Sequence, residues 1–271
     1  MPKPGRRSLV TAVLLAVSLV LVACAADPAT TATGNPTRAN RPVTLRLGYF
    51  PNLTHATAVA GIEKGIYAEK LGPDTLRAQP FNAGPAAVEA LFAEGLDAAY
   101  VGPNTAINAF SKSHGQAVRI ISGATSGGAF LVVKPGIDQP SDLKGRKIAS
   151  PQLGGTQDVA LRVWLGDHGL KPDGSGGASV IPQKNAQTLE TFRTGGIDGA
   201  WVPEPWATRL VQEGDGKVLV DERTLWPGGQ FPTTLLVVRT KFLKQHPGTV
   251  KRLVEAQVAA NAFVNESPVE A

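Results

Sequence analysis

Two widely separated stretches of the chain carry nearly the same pattern. "GLDAAYVGP" at Gly95–Pro103 and "GIDGAWVPE" at Gly196–Glu204 share Gly, an aliphatic residue, Asp, a small residue, Ala, an aromatic residue and Val, in that order. Upstream, "VEALF" from Val88 parallels "LETFR" from Leu189. Each copy reads as a helix, a glycine stop, a buried strand and a loop. A chain that carries this unit twice is constrained to two similar α/β lobes.

The rest of the folded body repeats the same alternation. "VTLRLGYF" reads as a strand, followed by the helix "THATAVAGIEKGIYAEKLG" with Thr54 as its N-cap and Gly72 as its stop. Then come the strand "TLRAQP", the helix "PAAVEALFAEG", the strand "DAAYV", the helix "NTAINAFSKSHG" and the strands "AVRIISGA" and "AFLVVK". A second series runs "RKIAS", "TQDVALRVWLGDHG", "ASVIP", "NAQTLETFRTGG", "DGAWV" and "PWATRLVQEG". Strands alternating with helices imply a mostly parallel sheet flanked by helices in each lobe. Such sheets bind ligands at the carboxyl ends of their strands, where loops lead into helix N-termini.

The N-terminus sets the compartment. "MPKPGRRS" is a basic leader and "LVTAVLLAVSLVLV" an apolar run too short for a typical spanning helix. It ends in "LVAC", the lipobox arrangement, and Cys24 is the only cysteine of 271 residues. The expectation is a lipoprotein signal peptide over 1–23, lipidation of Cys24 and membrane anchoring outside the cytoplasm, by Sec or twin-arginine export. A secretory signal cleaved elsewhere is the alternative. Residues 24–41, rich in Ala, Thr, Pro and Asn, read as a flexible tether. With its one thiol assigned to the anchor, the body has no disulfide and no cysteine metal site. No histidine pair has metal-ligand spacing, so neither metal nor cofactor is expected. The net charge of +5 comes partly from the leader, and no basic cluster interleaved with aromatics points to nucleic acid.

Four stretches in order, "LRLGYFPNLTHATAVAGIEKGIYAEKLG", "FNAGPAAVEALFAEGLDAAYVGPNTAINAF", "SDLKGRKIASPQLGGTQDVALRVWL" and "GGIDGAWVPEPWATRL", resemble solute-binding proteins of ABC importers. The likeness is to the nitrate/sulfonate/taurine group, most closely its aliphatic-sulfonate binders, and runs from Pro42 to about Phe263. It implies a two-lobed type II periplasmic-binding fold that closes on its ligand by a hinge. Lobe 1 would span 42–131, with 233–271 returning to it, and lobe 2 would span 132–232. It also implies a monomer that delivers a small anion to ABC permease subunits. Such proteins usually continue past "SPVEA", which reads as the start of another helix, so a C-terminal truncation is expected. Taurine, nitrate and a thiamine-precursor pyrimidine are the alternative ligands. An enzyme of pyrimidine synthesis shares the fold, but its cysteine-rich motif is missing here, as are the nucleophile elbow, phosphate loop and dinucleotide fingerprint.

A sulfonate is a weakly basic, singly charged anion that needs directional donors more than a full countercharge. Helix N-termini supply them. The strand-to-helix loops combine Gly with Asn, Thr, Ser or Gln, and single out Asn52, Thr54, His55, Asn82, Gly84 and Asn104 in the first lobe. The crossover contributes Thr125, Ser126 and Gly128, and the second lobe Gly155, Thr156 and Gln157. Thr54, Asn52 and Asn104 have alternative roles as caps or turn residues. Trp201 is expected at the cleft wall, matched by Tyr100 in the first lobe. Glu204 is expected as a helix cap or a contact to a ligand amine. Pro205 suits the first turn of the following helix, Trp206 faces cleft or core, and Asp198 reads as structural.

Overall fold

The computed structural model describes residues 41–271. The signal segment, Cys24 and the tether as far as residue 40 lie outside the described residues. In the first lobe, β1 (Thr44–Tyr49) lies between β2 (Thr75–Pro80) and β3 (Ala98–Val101). The sheet continues through β10 (Pro232–Arg239) to β4 (Val118–Ser126). In the second, β6 (Lys147–Ser150) lies between β7 (Ser179–Pro182) and β8 (Gly199–Pro203), and the sheet continues through β5 (Ala129–Val133) to β9 (Lys217–Asp221). The orders β2-β1-β3-β10-β4 and β7-β6-β8-β5-β9 are one topology built twice.

In each sheet four of the five strands point the same way, as expected of a mostly parallel sheet, and one, β10 or β5, runs against them. In each lobe two strand pairings are parallel and two antiparallel, so the sheets are mixed. The physical reason is the crossing between lobes. β5 and β10 each arrive from the other lobe, β10 by way of two 3-10 turns over Glu222–Leu225 and Pro227–Gly229, and not by an α-helical crossover that would turn them parallel to their neighbours.

The crossing itself falls at Gly127 and Gly128, whose φ of +79° and +78° only glycine adopts without strain. All of β5 pairs in the second sheet, so the lobe boundary sits before Ala129 and not at 131. The return strand passes alongside. The Thr233 hydroxyl donates to Gly127 O, and Gly127 N–H donates to Phe231 O, which ties the two crossings together.

Nine helices among the described residues cover the sheets: α1 (Ala56–Glu63), α2 (Ile66–Leu71), α3 (Gly84–Phe92), α4 (Pro103–Lys112), α5 (Thr156–Asp167), α6 (Asn185–Arg193), α7 (Trp206–Gly214), α8 (Thr240–Gln245) and α9 (Pro247–Glu266). The first predicted helix is two, broken at Gly65 (φ +74°) and preceded by a 3-10 turn over Leu53–His55. α9 closes the first lobe, with Leu253, Ala256 and Ala260 in the same core as Tyr67 and Leu71. After it, 268–270 form a turn where a further helix was expected.

The repeated motif has a mechanical role in each lobe. Asp97 accepts from the Arg46 backbone N–H at 2.9 Å and from its guanidinium at 2.6 Å. Asp198 accepts from Lys147 N–H at 2.8 Å and from the Arg146 guanidinium at 3.2 Å. Each aspartate pins the start of β3 or β8 to the neighbouring β1 or β6. The following residues alternate between two cores, as a strand covered on both faces requires. Ala98 and Tyr100 face one core while Ala99 and Val101 face the other. Trp201 likewise faces one core, and Ala200 and Val202 the opposite one.

Candidate functional site

Four helices begin where strands end on the facing edges of the lobes: α3 after β2, α4 after β3, α5 after β6 and α6 after β7. Their first residues, including Gly84, Thr105, Thr156 and Asn185, meet around one cavity. None of the four N-cap side chains accepts a hydrogen bond from its helix. The first turns of α3, α4 and α6 carry no acidic residue. α5 carries Asp158, but the Ser150 hydroxyl (2.7 Å), Gly154 N–H (2.9 Å) and Arg162 (2.9 Å) engage it. Four sets of N–H groups and four positive dipole ends are therefore turned toward one space.

That space is small, about 30 Å³, where one water needs roughly 10–15 Å³. Its polar lining is neutral: no Asp, Glu, Lys or Arg side chain borders it. His55 is its only titratable group. The ring is buried, packs on Phe50 with centroids 4.2 Å apart, and accepts from Phe50 N–H at Nδ1 (3.2 Å). Burial pushes its pKa down to about 3, so the imidazole is neutral and Nε2 carries its one N–H.

Seven buried side-chain polar atoms among the described residues lack a hydrogen-bond partner. Four of them line this cavity: the Thr105, Thr156 and Thr234 hydroxyls and Asn185 Oδ1. Each unpaired buried polar group costs about 1–3 kcal/mol. More than half of these atoms thus fall on this one lining.

The lobes are closed over the cavity. Asn82 Nδ2 donates to Pro151 O (3.2 Å), Trp206 Nε1 to Asn52 Oδ1 (2.9 Å) and Leu53 N–H to Glu204 O (3.0 Å), each across the cleft. Gly102 of the first lobe lies directly against Thr156 of the second.

Of the residues singled out from sequence, Asn52, Thr54, His55, Asn82, Gly84, Gly155, Thr156 and Gln157 line the cavity. Asn104 borders a neighbouring groove instead. Thr125 and Ser126 border a shallow surface pocket, although Thr125 Oγ1 also donates to Thr54 O at 2.7 Å. Gly128 packs against the Thr54 methyl at the crossing.

Trp201 is not a cleft wall. It is fully buried in the core of the second lobe, with Nε1 donating to Glu222 at 2.8 Å. Tyr100 is equally buried, its hydroxyl bonded to Tyr67 and Gln257. Glu204 caps α7, accepting from Thr208 N–H (3.1 Å) and Oγ1 (2.9 Å), and does not border the cavity. Pro205 sits just before α7 and outside its first turn. Trp206 faces the cleft through its bond to Asn52.

Sequence reasoning missed Thr105, Asn185, Thr233 and Thr234, which also line the cavity. The duplication carried the signal for Asn185. The β7–α6 junction is the second-lobe counterpart of the β2–α3 junction that supplies Asn82 and Gly84.

The sequence profile of the NMT1-like family matches residues 38–271. A binding protein of Brucella abortus is 29% identical over 229 residues, covering 83% of this chain and 68% of its own. The taurine-binding periplasmic protein of Escherichia coli is 29% identical over 180 residues, covering 66% of this chain and 54% of its own. Among solved structures, the alkanesulfonate-binding protein SsuA of Xanthomonas axonopodis pv. citri, bound to MOPS, superposes with a TM-score of 0.73. That match covers 85% of this chain and 77% of the other at 19% identity, a likeness of fold. Two mixed sheets flanked by helices, with a cleft between them, are the periplasmic-binding-protein fold.

Proposed function

The chain belongs to the NMT1-like family, and from that premise we propose that it is the extracytoplasmic substrate-binding lipoprotein of an ABC importer. Its ligand is a small organic anion, in the first place an aliphatic sulfonate, which it delivers to the membrane permease. The observation that carries this reading is the convergence of four uncapped helix N-termini and three unpartnered buried threonine hydroxyls, those of Thr105, Thr156 and Thr234, on a cavity without a charged side chain. Dipole ends and neutral donors suit a weakly basic monovalent anion, which they hold without a full countercharge. A strongly basic dianion would lack a countercharge in this lining, and a neutral pyrimidine would leave the helix ends without a negative partner.

Binding without chemistry is the corollary. The one titratable lining group, His55, is held neutral, and no nucleophile paired with a base borders the cavity. Lipidation at Cys24 would keep the protein at the outer face of the cell membrane, near its permease.

Calorimetry of the purified protein against methanesulfonate, ethanesulfonate, taurine, nitrate and hydroxymethylpyrimidine tests the proposal. Saturable binding of a sulfonate, with nitrate and pyrimidine weaker by at least tenfold, is expected. Binding of the pyrimidine alone would overturn the anion reading.

A further inference from the structure

Beyond the Gly102–Thr156 contact lies a second and much larger space of about 650 Å³. Its walls come from both lobes: Ile107 from α4, Val159 and Val163 from α5, and Trp226 and Phe231 from the return crossing. Trp226 and Phe231 stack with centroids 5.6 Å apart and planes 13° from parallel. Ile107, Val163 and Trp226 are 63%, 57% and 47% exposed, so apolar surface from two lobes stands open to water in one concave place.

The groove and the polar cavity adjoin along three chain segments. On α4 the wall passes from Gly102 to Pro103, on β10 from Thr233 to Pro232, and Thr156 borders both spaces. Thr156 stands at this border with its side chain against Gly102. The cavity has room for a head group and little more, while the groove has room for a chain or ring. Asp167 and Glu222 border the groove and no Lys or Arg does, which disfavours a second anion there.

We propose that the groove takes the apolar tail of the ligand whose anionic head occupies the polar cavity. The preferred substrate is then an amphiphilic monoanion, a sulfonate carrying a several-carbon alkyl chain or an aryl group, and not the smallest member of its class. This inference rests on the anion-binding reading of the cavity. The shared Thr156 border and the mismatch in size between the two spaces favour a ligand tail over a protein partner or a membrane surface, either of which would meet the groove without regard to the head cavity.

The test is calorimetry of the full chain with methane-, butane-, hexane- and benzenesulfonate, repeated on Val163→Asp and Ile107→Asn. Both positions are more than half exposed, so neither change empties a core. Affinity should rise about three- to fourfold for each methylene buried. Val163→Asp and Ile107→Asn should each abolish most of that rise, taken relative to methanesulfonate on the same variant. Equal affinity for methane- and hexanesulfonate would overturn the tail site. So would a chain-length dependence that survives both substitutions, because the tail would then bind elsewhere. If no sulfonate binds, methanesulfonate included, the cavity reading fails and this inference with it.

Discussion

Gly102→Ala is a test of closure that leaves each lobe's own packing alone. Gly102 is the N-cap of α4, with φ −72° and ψ 159°, an extended conformation open to any residue. Alanine there strains no backbone. Its Cβ would overlap Thr156 Oγ1 and lie 2.8 Å from Thr156 Cβ. Thr156 belongs to the opposite lobe, so the overlap exists only when the cleft is shut. Overpacking of this kind costs about 1–3 kcal/mol. An open cleft avoids it, so the cost appears in the equilibrium between open and closed forms. At about 1.4 kcal/mol per tenfold, ligand affinity should fall roughly 5- to 150-fold. The melting temperature of the ligand-free protein should stay put. Calorimetry with the tightest sulfonate measures the first effect, and small-angle scattering should show that ligand no longer compacts the molecule. In a Thr156→Gly background, weaker to begin with, adding Gly102→Ala should cost little more. The reasoning is refuted if Gly102→Ala lowers ligand-free stability with affinity intact, or if its cost is the same in both backgrounds.

Thr234→Val replaces an unpartnered buried hydroxyl with a methyl of similar size. Ligand-free stability should rise by about 1 kcal/mol, read by denaturant titration, while sulfonate affinity falls at least tenfold; unchanged affinity would mean the hydroxyl does not meet the ligand. Trp201→Phe should cost about 2–4 kcal/mol of stability through lost packing and the stranded Glu222 carboxyl, with ligand affinity within twofold. A large affinity loss at full stability would return Trp201 to the cleft wall. Glu222 is raised by burial from an ordinary 4.5 to about 7. The folded protein thus holds this proton more tightly than the unfolded chain, a contribution fully present below pH 4.5 and lost as pH rises to about 7. The loss amounts to about 3 kcal/mol. Glu222→Gln keeps an acceptor for Trp201 and has no such proton, so its stability relative to the wild type should climb between pH 4.5 and 7 and then level. Parallel pH–stability curves for the two proteins would contradict the buried-carboxyl account.

Duplication made the fold legible, because a Gly-x-Asp-x-Ala-aromatic-Val run states mechanical needs that survive translation into coordinates. The aspartate ties strand to strand in both lobes, and the small residues let the buried strand be covered twice. The aromatic position was harder. In a strand covered on both faces, hydrophobic pattern does not say which face is cleft and which is core, and both Tyr100 and Trp201 turned to the core. Loops were legible as a class, since Gly with Asn or Thr between strand and helix marks an open N-terminus. Helical phase then decided the individuals. Asn104 and Thr105 are neighbours on α4, about 100° apart around its axis, and only Thr105 borders the cavity. Thr233 and Thr234 carried no such signal. Consecutive residues of a regular strand face opposite ways, yet both of these border the cavity. Irregular registers on either side of Thr234, where β10 pairs with β4, make that geometry, and they depend on a partner strand distant in sequence.

Where the two copies diverge, electrostatics gives the reason. The "GPNT" that opens α4 has its counterpart in the "PEPW" that opens α7. α4 presents an uncapped end without acid to the cavity, whereas α7 is capped by its own Glu204. A carboxylate aimed into the cavity would oppose an anion there; turned onto Thr208, it satisfies α7 locally and leaves only Pro203 of that junction at the wall. The same rule governs Asp158, the one acid in the first turn of a helix that does point inward, which is engaged by three donors. Each carboxylate near the converging helix ends is thus neutralised by the fold or turned away from the cavity. That arrangement favours an anion over a neutral ligand, and it is expressed in residues the duplication did not copy.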